Sequence, residues 1–146
     1  MTDADVPRVM DLAARLPGLP KWSGAAYFSA LNPESTVRRV ALVAAGPEPG
    51  QVEGFIVASL LLPQAELELI VTCPEAQRQG VGSALVGALV EELRTAGAVE
   101  IILEVRAANR GAITFYQSAG FNQSGLRRAY YVDPIEDAVL MRLCIS

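Results

Sequence analysis

From Gly82 to Arg94 the apolar positions recur with the period of a helix: Leu85, Leu89 and Leu93 fall on one line, and Val81, Val86 and Val90 broaden it. At about 1.5–3 kcal/mol for each fully buried Leu or Val, that stripe belongs against a sheet. Gly97 supplies the stop. Near the start, "DADVPRVMDLAARLP" spaces Val6, Val9, Met10, Ala13 and Leu16 helically, with Asp3 or Asp5 as candidate N-cap and an end at Pro17–Gly18. "KWSGAAYFSALN" predicts a short second helix capped by Ser23 and closed before Pro33. The β-rich runs "RRVALVAAG" and "EGFIVASLLL" flank the turn "GPEPGQ", which predicts a hairpin. In "AELELIVTC", Glu66, Glu68 and Ile70 alternate with Leu67, Leu69 and Val71, which predicts a third strand with one face turned inward.

The remaining segments are "VEIILEVRAAN" as a strand, "RGAITFYQSAG" as a short helix ended by Gly120, and two strands around "LRRAYYV" and "DAVLMRL". The order α, α, β, β, β, α, β, α, β, β predicts an α/β (α+β) domain: a single mixed sheet flanked by helices. A chain of 146 residues fits one domain spanning 1–146.

Composition narrows the function. At 51% hydrophobic and 19% charged residues the chain is too apolar for disorder. "GFIVASLLL" stops at Pro63, about half the ~20 residues a membrane helix needs. The acidic N-terminus lacks the basic and apolar regions of a secretory signal, so the expected compartment is the cytoplasm and no membrane partner is expected. A net charge of −4 and a pI near 4.8 disfavour nucleic acid, and the pairs Arg38–Arg39 and Arg127–Arg128 are too small to reverse that. With Cys73 and Cys144 as the cysteines and no histidine, a tetrahedral Cys/His zinc site cannot be assembled within the chain, and no metal is expected. Acid–base chemistry falls to Glu, Asp, Tyr or water. Cys73, without an activating His, reads as a small buried hydrophobe.

The chemistry-bearing loop is Gln77-x-x-Gly80-x-Gly82, between a strand and the apolar helix. The dinucleotide fingerprint fails because Leu85 stands at its third glycine, and the P-loop fails because Ser83–Ala84 follow Gly82 in place of Lys and Ser/Thr. Two readings survive: a pyrophosphate held by helix N-terminal amides, with Arg78 at the rim, or a tight strand-to-helix connection. "LEVRAANRGAITFYQSAGF" adds Glu104 near a strand end, Asn109 in the next turn and Tyr116 in a short helix.

Together these segments closely resemble the GNAT superfamily of N-acetyltransferases, and from Ala65 to Leu143 the chain is similar to the RimI type, the bacterial ribosomal protein N-terminal-alanine acetyltransferases. "QRQGVGSAL", "LEVRAANRGAITFYQSAGF" and "LRRAYYVDPIEDAVLMRL" carry the resemblance; "DVPRVMDLA" and "LPKWS" match more loosely. The resemblance implies a GNAT fold with a mostly antiparallel sheet, acetyl-CoA as cosubstrate, and direct attack of an amine on the thioester. It places Glu104 as general base and Tyr116 as the acid that protonates the departing thiolate, with Glu68 as the rival base. It lays Ile70, Val71 and Thr72 along the acetyl and pantetheine arm, Arg78, Gln79, Gly80, Val81, Gly82 and Ser83 around the pyrophosphate, and Asn109 on the pantetheine. Tyr130 and Tyr131 fall where the family closes over its peptide.

An α-amine, with a pKa of about 7.7–8.0 against about 10.4 for lysine, suits a single carboxylate base. The expected acceptor is therefore a protein N-terminus, with a ribosomal protein as the implied partner. A small-molecule amine, a lysine, or a catalytically silent acyl-CoA-binding module are the alternatives, and monomer or dimer stays open. GNAT domains begin with a strand, yet here the helix pattern starts almost at Met1. The first strand is expected to be missing, or the exposed edge to be covered by a neighbouring molecule.

Overall fold

The structure, a computed structural model, describes residues 1–15, 22–32, 37–74, 80–132 and 134–146. A 3-10 turn at Asp3–Asp5 leads into α1 (Val6–Ala14), followed by α2 (Gly24–Leu31), β1 (Arg38–Ala45), β2 (Val52–Leu61) and β3 (Gln64–Thr72). Then come α3 (Val81–Thr95), β4 (Glu100–Arg106), α4 (Arg110–Ser118), β5 (Asn122–Val132) and β6 (Ile135–Cys144). The order of helices and strands is the one the pattern predicts.

Local chemistry accounts for the starts of the helices. Ser23 Oγ accepts from the Ala26 amide at 3.1 Å, capping α2 as expected. Asp5 occupies the N-cap position of α1 without capping it; its carboxylate turns back to accept from the Thr2 amide at 2.8 Å. The expected end of this helix, with Leu16, Pro17 and Gly18, lies outside the described residues. No strand precedes α1 among the described residues, and the Met1 ammonium donates to the Ala41 carbonyl on β1 at 3.1 Å. Among them, no helix is long and apolar enough to cross a membrane.

The strands form one six-stranded sheet in the order β1-β2-β3-β4-β6-β5. Every neighbouring pair is antiparallel except β3 and β4, which run parallel and pair only at Gln64↔Glu100, Ala65↔Ile101 and Glu66↔Ile102. Two cores lie on the two faces. The stripe Leu85, Val86, Leu89 and Leu93 of α3 packs with Tyr116 of α4 against Ile56, Leu67, Ile101, Leu103 and Met141. On the other face Val6, Val9 and Leu12 of α1 and Tyr27 of α2 cover Phe55, Val57, Leu69 and Val71. That second core draws its strand residues from β1, β2 and β3, so the same face of β4, β6 and β5 carries no helix from it.

The regular alternation expected along β3 is broken at one residue. Leu67 lies opposite Ala58 and Leu69 opposite Val57, which leaves Glu68 as an extra, unpaired position. This β-bulge sends Leu67 to the α3/α4 core and Leu69 to the α1/α2 core, although both are leucines two apart. Both ends of β3 are buried, on opposite faces, so an unbroken apolar alternation conceals the bulge.

Candidate active site

Beyond Glu66 and Ile102 the ladder between β3 and β4 ends, so the edge of β3 at Ile70, Val71 and Thr72 has no backbone partner from β4. The start of α3 follows β3 in sequence. Gly80, at its N-cap, has φ 80 and ψ 6, a left-handed conformation that glycine adopts without a Cβ clash, and among the described residues no side chain caps the helix. A Cβ added at Gly80 would meet nothing within 4 Å, whereas one at Gly82 would lie 3.1 Å from the Phe115 ring of α4. The two glycines thus serve different ends: Gly80 turns the chain into the helix, and Gly82 lets the helix start lie directly on α4.

The consequence is chemical. Ala84 N–H makes the first intrahelical bond, to Gly80 O at 2.9 Å, so the amides of Val81, Gly82 and Ser83 have no carbonyl partner within the helix. These amides and the positive end of the helix dipole fit a pyrophosphate. Gln77, Arg78 and Gln79 lie outside the described residues.

On α4, Asn109 occupies the N-cap, where its Oδ1 accepts from the Ala112 amide at 3.1 Å. The cap orients its amide nitrogen as a remaining donor. Tyr116 is 8% exposed, with its ring between Phe115 at 5.5 Å and Phe121 at 5.6 Å. Burial pushes its phenol up to about 12, so near neutrality it is held protonated, as a donor.

Glu104 belongs to the opposite face. Ile101, Leu103 and Val105 point into the α3/α4 core, and Ile102, Glu104 and Arg106 alternate with them. There Glu104 is half-buried and its Oε1 accepts from Arg127 Nη1 at 2.9 Å, and the nearby Glu104 carboxylate raises the Tyr130 phenol above its ordinary value. The Arg127 guanidinium lies 4.7 Å from the Tyr130 ring centre, and that of Arg106 lies 4.1 Å from the centre of Tyr131. Tyr130 and Tyr131 meet edge to face at 5.1 Å. Glu68, on the bulge, is engaged by Arg39 Nε at 2.7 Å. Glu66 has its carboxyl pushed upward, first by burial and then by the charges of Glu104 and Glu68. The candidate site is therefore a group of carboxylates, two of them held by arginines, beside Tyr130 and Tyr131 on the sheet face opposite Tyr116 and α3.

The sequence reading singles out Glu104, Glu68, Tyr130 and Tyr131, and the structure gathers them. It misses Arg39, Arg127 and Glu66. Arg127 was weighed there only as part of a charge pair, and its partner sits 23 positions away with a whole strand between. Trp22 packs on Tyr27 at 5.3 Å, while Phe28 is exposed, so neither belongs to this group.

A parted parallel pair, a glycine-led helix start and a carboxylate on the adjacent strand suit an acyl-CoA-dependent transferase, and residues 11–121 match the acetyltransferase (GNAT) family. The chain belongs to the GNAT acetyltransferase family and is an acetyl-CoA-dependent N-acetyltransferase. Over 99 residues it is 43% identical to the [ribosomal protein bS18]-alanine N-acetyltransferase of Escherichia coli K12, covering 66% of this chain and 67% of that one. The enzyme of the same name from Salmonella typhimurium is 34% identical across 100% of this chain and 95% of its own length. The crystal structure of the ribosomal-protein-S18-alanine N-acetyltransferase from Escherichia coli superimposes with a TM-score of 0.85 at 34% identity, covering 100% of this chain and 91% of that one.

Proposed function

We propose that the protein transfers the acetyl group of acetyl-CoA directly to the α-amine of a protein N-terminus, with an alanine-first ribosomal protein as the acceptor class. The observation that carries this reading is the placement of Glu104: on an open sheet face beneath Tyr130 and Tyr131, beside the gap between β3 and β4. The named relatives, similar over the full chain, act on the alanine of ribosomal protein bS18.

Acetyl-CoA supplies an activated thioester. The amides of Val81, Gly82 and Ser83 receive its pyrophosphate, with Gly80 shaping the turn and Arg78 and Gln79 completing the loop. The stretch of β3 at Ile70, Val71 and Thr72, past its ladder with β4, takes the pantetheine arm as a strand would, a backbone amide there polarises the thioester carbonyl, and Asn109 offers its amide nitrogen. Glu104 accepts the proton of the incoming ammonium, directly or through water. Deprotonating an α-amine rather than a lysine lowers the demand on that carboxylate by about 3 kcal/mol.

Tyr116 is assigned to the departing sulfur, by its place in the family resemblance. For a phenol near 12 and a thiol near 8.5, outright proton transfer runs uphill by about 5 kcal/mol. Its part is to donate a hydrogen bond to sulfur as charge develops, with the proton shared until the product separates. Glu68, already held by Arg39, is the less available base.

The test is CoA release from acetyl-CoA with a panel of acceptors: alanine-first ribosomal peptides, polyamines, and lysine peptides with blocked termini. Turnover preferring the free N-terminal peptides supports the reading. Turnover with polyamines or blocked peptides alone replaces the acceptor, and none with any acceptor points to a silent binding module.

A further inference from the structure

Strand β5 leaves its ladder at one place. Arg127 lies opposite Ala138 and Tyr131 opposite Glu136, so Arg128, Ala129 and Tyr130 together face the single residue Asp137. Ala129 sits at φ 50, a conformation that residues with a Cβ rarely adopt. Something must hold it there, and the side chain opposite does: Asp137 Oδ1 accepts from the Ala129 amide at 2.9 Å. Asp137 is itself anchored, because its main-chain carbonyl accepts from the Ala107 amide at 2.9 Å. Next to it, Glu136 Oε1 accepts from the Ala108 amide at 2.7 Å and Oε2 pairs with Arg106 Nη1 at 3.3 Å. The hairpin is thereby pinned to the turn between β4 and α4.

The bulge decides which side chains meet. In an unbroken strand, residues 127 and 130 point to opposite faces. Here Tyr130 shares the face of Arg127: its ring lies under that guanidinium at 4.7 Å, and the same guanidinium donates to Glu104 Oε1 at 2.9 Å, which brings Tyr130 beside that carboxylate.

We propose that Asp137 is a positioning residue for acetyl transfer: by holding the Ala129 amide it keeps β5 bulged, and the bulge sets Arg127 and Tyr130 on Glu104. The inference rests on the reading of the Glu104 face as the acceptor side. Asp137 touches no reactant in this account; it acts through the backbone of β5.

The experiment compares Asp137→Ala, Asp137→Asn and the double variant Asp137→Ala with Ala129→Gly in the full chain. Losing the acceptor oxygen raises KM for an N-terminal peptide about ten- to a hundredfold, the scale of a small misplacement at a reacting group, and leaves KM for acetyl-CoA unchanged. Asp137→Asn keeps a carbonyl oxygen and retains wild-type behaviour. The double variant recovers part of the loss, because glycine accepts a positive φ unaided.

A second readout needs no turnover. The Tyr130 hydroxyl titrates above its ordinary value of 10.0, first through its hydrogen bond to Glu104, then through the charge of Glu104 and slight burial; Glu66 adds to this and Arg127 opposes it. Ultraviolet titration, with Tyr130→Phe counterparts to isolate that ring, shows it falling back toward 10 in Asp137→Ala. If wild type acetylates no acceptor, the functional reading fails while this titration still decides the role of Asp137. An unchanged Tyr130 titration in folded Asp137→Ala, an equal rise in both KM values, or Asp137→Asn as impaired as the alanine variant overturns the proposal. If Asp137→Ala does not fold, the double variant and Asp137→Asn carry the same titration: wild-type values in both support the proposal, and a Tyr130 back near 10 in Asp137→Asn contradicts it.

Discussion

Arg127 on β5 reaches across β6 to hold Glu104 on β4, Nη1 to Oε1 at 2.9 Å, and lies against Tyr130 at 4.7 Å. In the proposed reaction the pair places a fixed cation beside the path of the acceptor ammonium. Arg127→Gln is expected to lower kcat/KM for peptides about two- to fivefold, the range for a charge pair this exposed, and to leave KM for acetyl-CoA unchanged. Arg127→Lys is not expected to restore it, because an ammonium lacks the planar stacking over Tyr130. Steady-state kinetics with each substrate varied in turn checks both.

Glu104→Gln keeps shape and removes the proposed proton acceptor. A loss of about 10²–10⁴-fold in kcat is expected, with acetyl-CoA affinity by calorimetry unaffected. Retained turnover would transfer the role to Glu66 or Glu68, and the same substitution at each would then identify it.

If Tyr116 is the proposed donor to sulfur, Tyr116→Phe should lower kcat with little change in either KM. It also changes alkaline stability. The phenol has a folded value of about 12 against 10.0 unfolded, so its contribution is full below pH 10 and is lost as pH rises through 12. The wild type should therefore lose up to about 3 kcal/mol relative to Tyr116→Phe across that window, measured by urea unfolding at stepped pH.

Gly82→Val drives a side chain into the Phe115 ring and displaces the start of α3, so KM for acetyl-CoA should rise severalfold while peptide KM holds. Gly80→Ala has room for its Cβ but not the dihedral angle, and is expected to cost about 1 kcal/mol of stability.

Glu66 is pushed upward by burial and by its carboxylate neighbours, so the stability it contributes is present below the unfolded carboxylate range and declines as pH rises through its raised value. Glu66→Gln should match wild type in acid and melt slightly higher at neutral pH. Thermal melts at pH 3 and pH 7 test the sign.

The parts of this architecture that depend on local pattern are readable in the chain. The Leu85, Leu89, Leu93 stripe finds its sheet, Ser23 caps α2, and the glycine loop opens α3. What depends on pairing between distant segments is not. The bulge at Glu68 hides behind a regular alternation because β3 is buried on opposite faces at its two ends. The contact of Gly82 with Phe115 and the grip of Arg127 on Glu104 arise only when α4 and β5 have folded back. The glycines therefore announce a close approach without saying that one of the approaching groups belongs to the protein itself.

The central claim is transfer to a protein α-amine. The most direct measurement is fragment mass spectrometry of one alanine-first peptide that also carries an internal lysine, after incubation with the protein and acetyl-CoA. Acetyl on the α-amine and none on the lysine is the predicted result; acetyl on the lysine with a free terminus would contradict the account.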